Sequence, residues 1–95
     1  EKKQRVKGRS KDADGNPLPA VKGTIKDAEG VQVGESFFTD INAEYDRGTD
    51  HKGPGTMEFE KSGFQKKTIA VDIPEEETLV QDVELEPVVQ PAPQP

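Results

Sequence analysis

The sequence predicts an all-β protein, a sandwich of two sheets built from seven strands. Short apolar runs that alternate with polar residues recur along the chain, and clusters of Asp, Gly, Asn and Pro separate them. No segment of useful length shows the 3.6-residue periodicity of an amphipathic helix. The strands are predicted at residues 4–11, 19–27, 35–40, 44–48, 56–61, 64–73 and 79–86.

The first strand shows the alternation most clearly. Its small inward members, Val6, Gly8 and Ser10, alternate with basic residues, as in a strand with one face in water. The basic residues are Arg5, Lys7, Arg9 and Lys11. The turn Asp14-Gly15-Asn16-Pro17 follows, and each of its residue types favours chain reversal.

Composition limits both the number of domains and the chemistry. The 95 residues suffice for one domain, and Leu, Ile, Val and Phe make up only about a fifth of them, enough for a thin core. The chain has no Cys, which excludes disulfides and thiolate metal sites. A net charge of −6 argues against nucleic acid as a partner. No apolar run reaches the length of a membrane span.

Three segments are predicted from the composition along the chain. Residues 1–4 form an N-terminal tether, residues 5–87 form the sandwich, and residues 88–95 form a Pro-rich linker or disordered tail. Both ends are polar and no signal peptide is visible. We therefore expect a piece of a longer protein, in which a signal peptide or lipid anchor could precede residue 1.

Charge is distributed unevenly between the two ends of the domain. Residues 1–11 are rich in Lys and Arg, whereas residues 72–95 contain acidic residues and no basic ones. Val83 and Leu85 are the inward members of the last strand. We predict that the first and last strands are neighbours and that their outward charges form cross-strand ion pairs. The basic face is otherwise interpreted as a solvated strand surface.

The order of these motifs resembles that of the carboxypeptidase regulatory-like domain. The matching motifs are Val6-Lys7-Gly8 with Asp12-Ala13-Asp14-Gly15-Asn16-Pro17-Leu18-Pro19-Ala20-Val21, Thr39-Asp40-Ile41-Asn42-Ala43-Glu44-Tyr45, Gly55-Thr56-Met57-Glu58-Phe59 with Lys61-Ser62-Gly63-Phe64, and Val83-Glu84-Leu85-Glu86-Pro87. The resemblance implies a prealbumin-like (transthyretin-like) Greek-key sandwich of seven strands. It also implies a non-catalytic accessory module of exported enzymes, receptors or lipoproteins.

The chain departs from the family pattern at Ala43, where the family generally has Gly. That turn must therefore avoid a strongly positive φ or bear strain.

Candidate sites for chemistry are few. His51 is the only His, and it has no predicted nucleophile as a partner, so we expect an exposed loop residue and no catalysis. The run Asp12-Ala13-Asp14-Gly15-Asn16 superficially resembles a calcium loop, but Gly23 stands where such a loop needs its bidentate Glu. A hydrogen-bonded turn is favoured there, and we expect no metal and no cofactor. A Lys–Asn or Lys–Asp isopeptide bond is a weaker alternative, because it needs a buried Lys.

Aromatic residues offer the best hint of an interaction surface. Phe37 and Phe38 are adjacent, so in a regular strand they point to opposite faces and one of them is exposed or covered by a loop. Together with Tyr45 and His51 they form the possible interaction surface that we predict. Exposed aromatics could also stack on sugar rings, as in starch-binding-like modules.

The functional expectation is a non-enzymatic accessory module that acts as a spacer or a protein-docking domain. The expected partner is a protein of unknown identity, reached through loops or an exposed edge strand. The alternative is a carbohydrate-binding module. We expect a monomer, and the family resemblance implies an extracytoplasmic location, periplasmic or at the cell surface.

Overall fold

The computed structural model describes residues 4–88, which form two β-sheets packed face to face and contain no helix. Their eight strands are β1 (Gln4–Asp12), β2 (Lys22–Asp27), β3 (Phe37–Phe38), β4 (Glu44–Thr49), β5 (Gly53–Glu60), β6 (Lys67–Ile73), β7 (Thr78–Val80) and β8 (Val83–Leu85). The predicted fold class is confirmed, with eight strands in place of seven. Most of the predicted tether and tail, residues 1–3 and 89–95, lies outside the described residues.

The chain crosses from one sheet to the other several times. The first sheet has the order β4-β1-β7, and β8 also pairs with β1. The second sheet has the order β3-β2-β5-β6. Strand β1 is therefore central in its sheet: it pairs antiparallel with β4 and parallel with both β7 and β8.

The eighth strand arises because the predicted strand 79–86 is interrupted. Its register with β1 continues across the gap, from Lys7 opposite Val80 to Ser10 opposite Val83. Within the gap the Asp82 carboxylate accepts a hydrogen bond from the Arg9 amide at 3.0 Å. A side-chain oxygen thus binds an N–H group of β1 where strand pairing is interrupted, and the sequence alone carries no signal for this.

The prediction that the first and last strands are neighbours is confirmed. The prediction that their charges pair with each other is wrong for Arg5 and Arg9. Arg5 pairs with Asp46 and Arg9 with Glu44, each at 2.8 Å, and both acids belong to β4. The antiparallel register places Arg9 directly opposite Glu44, so β4 supplies the nearer carboxylates. Exposed pairs of this kind contribute about 0–1 kcal/mol each, which makes them determinants of register more than of stability.

The core lies between the sheets and is small. Its buried members are Val6, Leu18, Val21, Ile25, Phe37, Tyr45, Met57, Phe59, Val71, Ile73, Val83 and Leu85. The Tyr45 ring packs against two other rings of this core, with centroid distances of 5.2 Å to Phe37 and 5.8 Å to Phe59. Such tilted aromatic pairs contribute about 0.5–1.5 kcal/mol beyond the area they bury.

Three turns of the domain share one geometry. They begin at Asp12, Asp27 and Asp40. In each, the Asp Oδ1 accepts hydrogen bonds of 2.8–3.0 Å from the backbone N–H groups two and four residues later. The residue three positions after the Asp has a positive φ: 87° at Gly15, 83° at Gly30 and 62° at Ala43. The predicted hydrogen-bonded turn at residues 12–16 is confirmed, and Ala43 bears the strain that its departure from Gly implied.

Replacing Gly30 with Ala tests the cost of this left-handed position. No atom lies within 4 Å of the place that the new Cβ would occupy, so the change introduces strain without a clash. We expect the free energy of unfolding to fall by about 1–2 kcal/mol. Urea denaturation measures it, with Ala28→Gly in the same exposed turn as the control for added backbone freedom. An unchanged midpoint for Gly30→Ala would contradict the geometry of the turn.

Candidate functional site

The four residues predicted as an interaction surface do not form one exposed surface. Phe37 and Tyr45 are buried, with 7% and 5% of their surface exposed, and they pack against each other in the core. Phe38 is 62% exposed on the opposite face of β3. The prediction is therefore wrong for Phe37 and Tyr45, because a core this small needs both rings as filling. An exposed platform of Tyr45 with a neighbouring Phe is not formed.

His51 is half-buried in the turn between β4 and β5, where its Nε2 lies 2.9 Å from the Pro54 carbonyl oxygen. The same turn is tied to β1 by Gln4, whose Nε2 donates to the carbonyls of Thr49 and His51 at 3.2 Å. Gln4 also accepts a hydrogen bond from the Glu76 amide at 3.0 Å. Gln4, at the boundary between the predicted tether and the predicted first strand, is the first residue of β1, buried and hydrogen-bonded at three points.

Phe38 lines an open groove that we call the Phe38 groove. Its other main lining residues are Phe64, Lys22, Lys61 and Lys66. The register of the second sheet creates it, because Lys22 of β2 lies opposite Phe38 on one side. The groove has a volume of about 490 Å³, and two aromatic rings, three lysines and the acidic Glu60 line it. One of the three lysines, Lys66, also pairs with Glu58 at 2.8 Å. Sequence reasoning found Phe38 but missed Phe64 and the lysines, because Lys22 comes from β2 whereas Lys61, Phe64 and Lys66 come from the turn between β5 and β6.

A charged cluster lies on the outer face of the second sheet. Glu58 accepts hydrogen bonds from Lys26 and Lys66, both at 2.8 Å. These bonds, that of Lys26 before that of Lys66, hold the pKa of Glu58 below its usual value, and the bond to Glu58 raises the pKa of Lys66. Both carboxylate oxygens are engaged, so the cluster binds strands to one another and leaves no group poised for acid–base work.

The hydroxyl of Tyr45 reaches from the core to the gap between β7 and β8, where it donates to the carbonyl of Gln81. Burial raises the pKa of Tyr45 well above its usual value, and the negative charge of Asp82 adds to the shift. Ionisation of this phenol is therefore coupled to unfolding.

The raised pKa of Tyr45 predicts that the domain becomes less stable at alkaline pH. The unfolded phenol ionises near pH 10, whereas the folded one stays neutral, so the unfolded state binds fewer protons above that pH. We expect the free energy of unfolding to fall by about 1.4 kcal/mol for each pH unit above about 10. Tyr45 is the only Tyr and Trp is absent, so tyrosinate absorbance follows this single group.

The control for this prediction is Tyr45→Phe, which lacks the ionising group. Its stability should be lower at neutral pH and should approach that of the native chain as the pH rises. A native tyrosinate titration centred near pH 10 in the folded state would contradict the burial of Tyr45.

Other candidate chemistry finds little support within residues 4–88. In that range no group of three or more His, Cys, Asp and Glu side chains is placed to hold a metal ion. None of the described lysines is buried, as an isopeptide bond would require. The described part of the chain also contains no helix long and apolar enough to cross a bilayer.

Comparison with known proteins identifies the fold. No family model matches the chain and no curated protein matches it. A minor pilin of Streptococcus agalactiae superposes with a TM-score of 0.76 at 16% identity, over 99% of this chain and 48% of that one. The TIE protein of Bacillus anthracis gives 0.72 at 20% identity, over 88% and 17% of the two chains. A catechol 1,2-dioxygenase of Acinetobacter radioresistens gives 0.70 at 11%, over 97% and 54%.

These likenesses concern the β-sandwich alone, since all three identities are low and an enzyme shares the fold with a pilin. The chain spans about half or less of each of the three proteins it superposes on.

Proposed function

We propose that this domain is a non-enzymatic accessory module of an exported or surface-attached protein, in which it acts as a spacer. The observation that carries the proposal is the parallel pairing of the first and last strands. Because β1 and β8 run in the same direction, the chain enters the sandwich at the start of β1 and leaves it at the opposite end. Strand β1 has nine residues, so the two points are separated by about 26 Å or more.

A domain with entry and exit at opposite ends extends a polypeptide without folding it back. This is the arrangement that a module linked in series with others requires. The likeness to a minor pilin supports a place at the cell surface or in the periplasm. The motif order supports kinship with the carboxypeptidase regulatory-like domain within the prealbumin-like sandwiches.

The state of the polar side chains supports a role without catalysis. His51 Nε2 is within hydrogen-bond distance of a backbone carbonyl, and Glu58 binds two lysines. The Asp12 carboxylate accepts two backbone amides of its own turn. Each group thus has a structural partner that a reacting substrate or metal ion would need to displace.

A second candidate function is protein docking at the Phe38 groove. The exposed Phe38 beside the partly buried Phe64 offers a contact for one apolar side chain. Three lysines against the single lining carboxylate of Glu60 favour an extended segment that is acidic. The carbohydrate alternative has less support, because Tyr45 and Phe37 are committed to the core.

Amide-resolved NMR titration separates these functions. The probes are pooled oligosaccharides, calcium chloride, and an acidic peptide with a central Leu. The spacer function predicts no localised shifts with sugar or calcium, and docking predicts shifts with the peptide at Lys22, Phe38 and Phe64. Shifts around Phe38 with oligosaccharides would overturn the proposal in favour of a carbohydrate-binding module. Shifts at residues 12–16 with calcium would show a metal site.

A further inference from the structure

The strand through which the chain enters and the strand through which it leaves are bonded side by side along most of their length. Residues Arg5 to Lys7 lie opposite Thr78 to Val80, and Ser10 to Asp12 lie opposite Val83 to Leu85. Strand β1 is also flanked on its other side by β4, through six register pairs. Tension applied to the two ends of the domain therefore meets a central strand that is held on both sides.

We infer that the parallel pairing of β1 with β7 and β8 is a shear clamp by which the domain bears tension along the chain. A pull on Gln4 and an opposite pull beyond Leu85 displace the strands past each other along their common axis. All hydrogen bonds between them are then loaded together. Strands pulled apart from one end instead lose their bonds one at a time. The inference deepens the proposed spacer role and rests on it only for the source of the tension.

Three hydrogen bonds outside the regular ladder extend this clamp. The Arg5 amide donates to the Glu77 carbonyl at 3.0 Å, at the entry end, and the Gln81 amide donates to the Lys7 carbonyl at 2.8 Å. In the gap between β7 and β8, the Asp82 carboxylate accepts from the Arg9 amide. A bond to a charged acceptor is stronger than one between neutral groups, so the interruption of the strand does not leave a weak point.

Both ends of the clamp are fixed to other parts of the sandwich. At the entry, the buried Gln4 side chain binds the β4–β5 turn and the Glu76 amide. At the exit, the Gln65 amide donates to the Glu86 carbonyl at 2.8 Å and the Val88 amide donates to the Gly63 carbonyl at 3.0 Å. The load is thus passed to both sheets before the chain leaves the domain.

Single-molecule unfolding at constant force in two directions tests the clamp. The absence of native Cys allows thiol handles to be placed freely. One variant carries handles before Gln4 and after Val88, which load the clamp in shear. The other carries Ala13→Cys and Glu86→Cys, exposed positions at the same end of β1 and β8, which open the pairing from that end. We expect unfolding at the same force to be at least about tenfold slower in the first geometry, since several bonds must break together. Equal rates would overturn the inference.

A bond-level test uses Asp82 with a matched control. Asp82→Ala removes the acceptor of the Arg9 amide, and we expect end-to-end unfolding at constant force to accelerate about tenfold. Asp82→Asn keeps an oxygen at that place and should restore most of the native rate. Asp27→Ala removes a carboxylate that accepts two amides in the β2 turn, away from the clamp. It should lower equilibrium stability without a comparable acceleration under force.

Equal acceleration of unfolding under force by Asp82→Ala and Asp27→Ala would contradict a clamp at β1. It would show that resistance to force follows overall stability and is not concentrated in the pairing of β1. Neither force experiment depends on ligands or location. A failed clamp would therefore leave the proposed function standing, and oligosaccharide binding would overturn the function while leaving the clamp in place.

Discussion

Phe59→Ala is expected to lower the free energy of unfolding by about 3–5 kcal/mol. The Phe59 side chain is fully buried in β5 and its ring packs 5.8 Å from that of Tyr45. The core has few large members, so neighbouring side chains cannot close the cavity, and the cost includes both lost transfer energy and the void. Total stability of a domain this size is only about 5–15 kcal/mol, so the variant is expected to be close to unfolding at moderate temperature.

Urea denaturation, followed by circular dichroism and by the fluorescence of Tyr45, measures this change. Phe59→Leu provides a milder variant, with an expected cost of about 1–2 kcal/mol. The matched control is Phe38→Ala, which removes the same side chain from an exposed position and should cost less than about 0.5 kcal/mol. Similar losses of stability for Phe38→Ala and Phe59→Ala would contradict the burial of Phe59 and the exposure of Phe38.

Gly8→Ala is the second change with a large expected effect. A Cβ at this position of β1 would overlap the backbone carbonyl of Gln81. Backbone cannot rotate away as a side chain can, so β1 and the segment between β7 and β8 would have to separate. We expect a loss of about 3 kcal/mol or more in the free energy of unfolding, together with a weaker Tyr45–Gln81 hydrogen bond.

Gly48→Ala is the matched control for this change, since Gly48 lies in β4 on the other side of β1. Its nearest neighbour would be Arg5 Nη1, at an ordinary contact distance of 3.5 Å. That variant should be neutral or more stable by about 0.5 kcal/mol, because Ala restricts the unfolded chain. Thermal unfolding of both proteins provides the comparison. A Gly8→Ala protein as stable as Gly48→Ala would mean that the two strands are farther apart than the structure indicates.

The outcome of the sequence predictions differs between local and distant features. The Asp turn at residues 12–16 was correctly predicted, because an Asp side chain and a Gly three residues later act within one short segment. Burial of Val83 and Leu85 followed from alternation in one strand. The break at Gln81 and Asp82 was missed, since it depends on Gly8 and Tyr45 lying alongside, far away in the chain.

The candidate site shows the same division. The sequence indicated that one of the two adjacent rings, Phe37 or Phe38, would face outward, because neighbours in a strand alternate. The sequence could not decide between them, because the choice depends on which face of β3 packs against Tyr45. In the structure Phe37 packs against Tyr45 and Phe38 is exposed. The lysines around Phe38 come from β2 and from the turn after β5, so no local pattern could have grouped them.

By itself the sequence determined the all-β class, the strand periodicity, the hydrogen-bonded turn at residues 12–16 and the neighbourhood of the first and last strands. These follow from interactions between residues a few positions apart, or from a charge asymmetry visible along the chain. Only the tertiary structure decided that Arg5 and Arg9 pair with β4, that Tyr45 belongs to the core, and that β1 is held on both sides. Those outcomes depend on register between residues that are 35 to 45 positions apart for β1 and β4 and 73 positions apart for β1 and β7. The joint packing of two sheets around a small core sets this register.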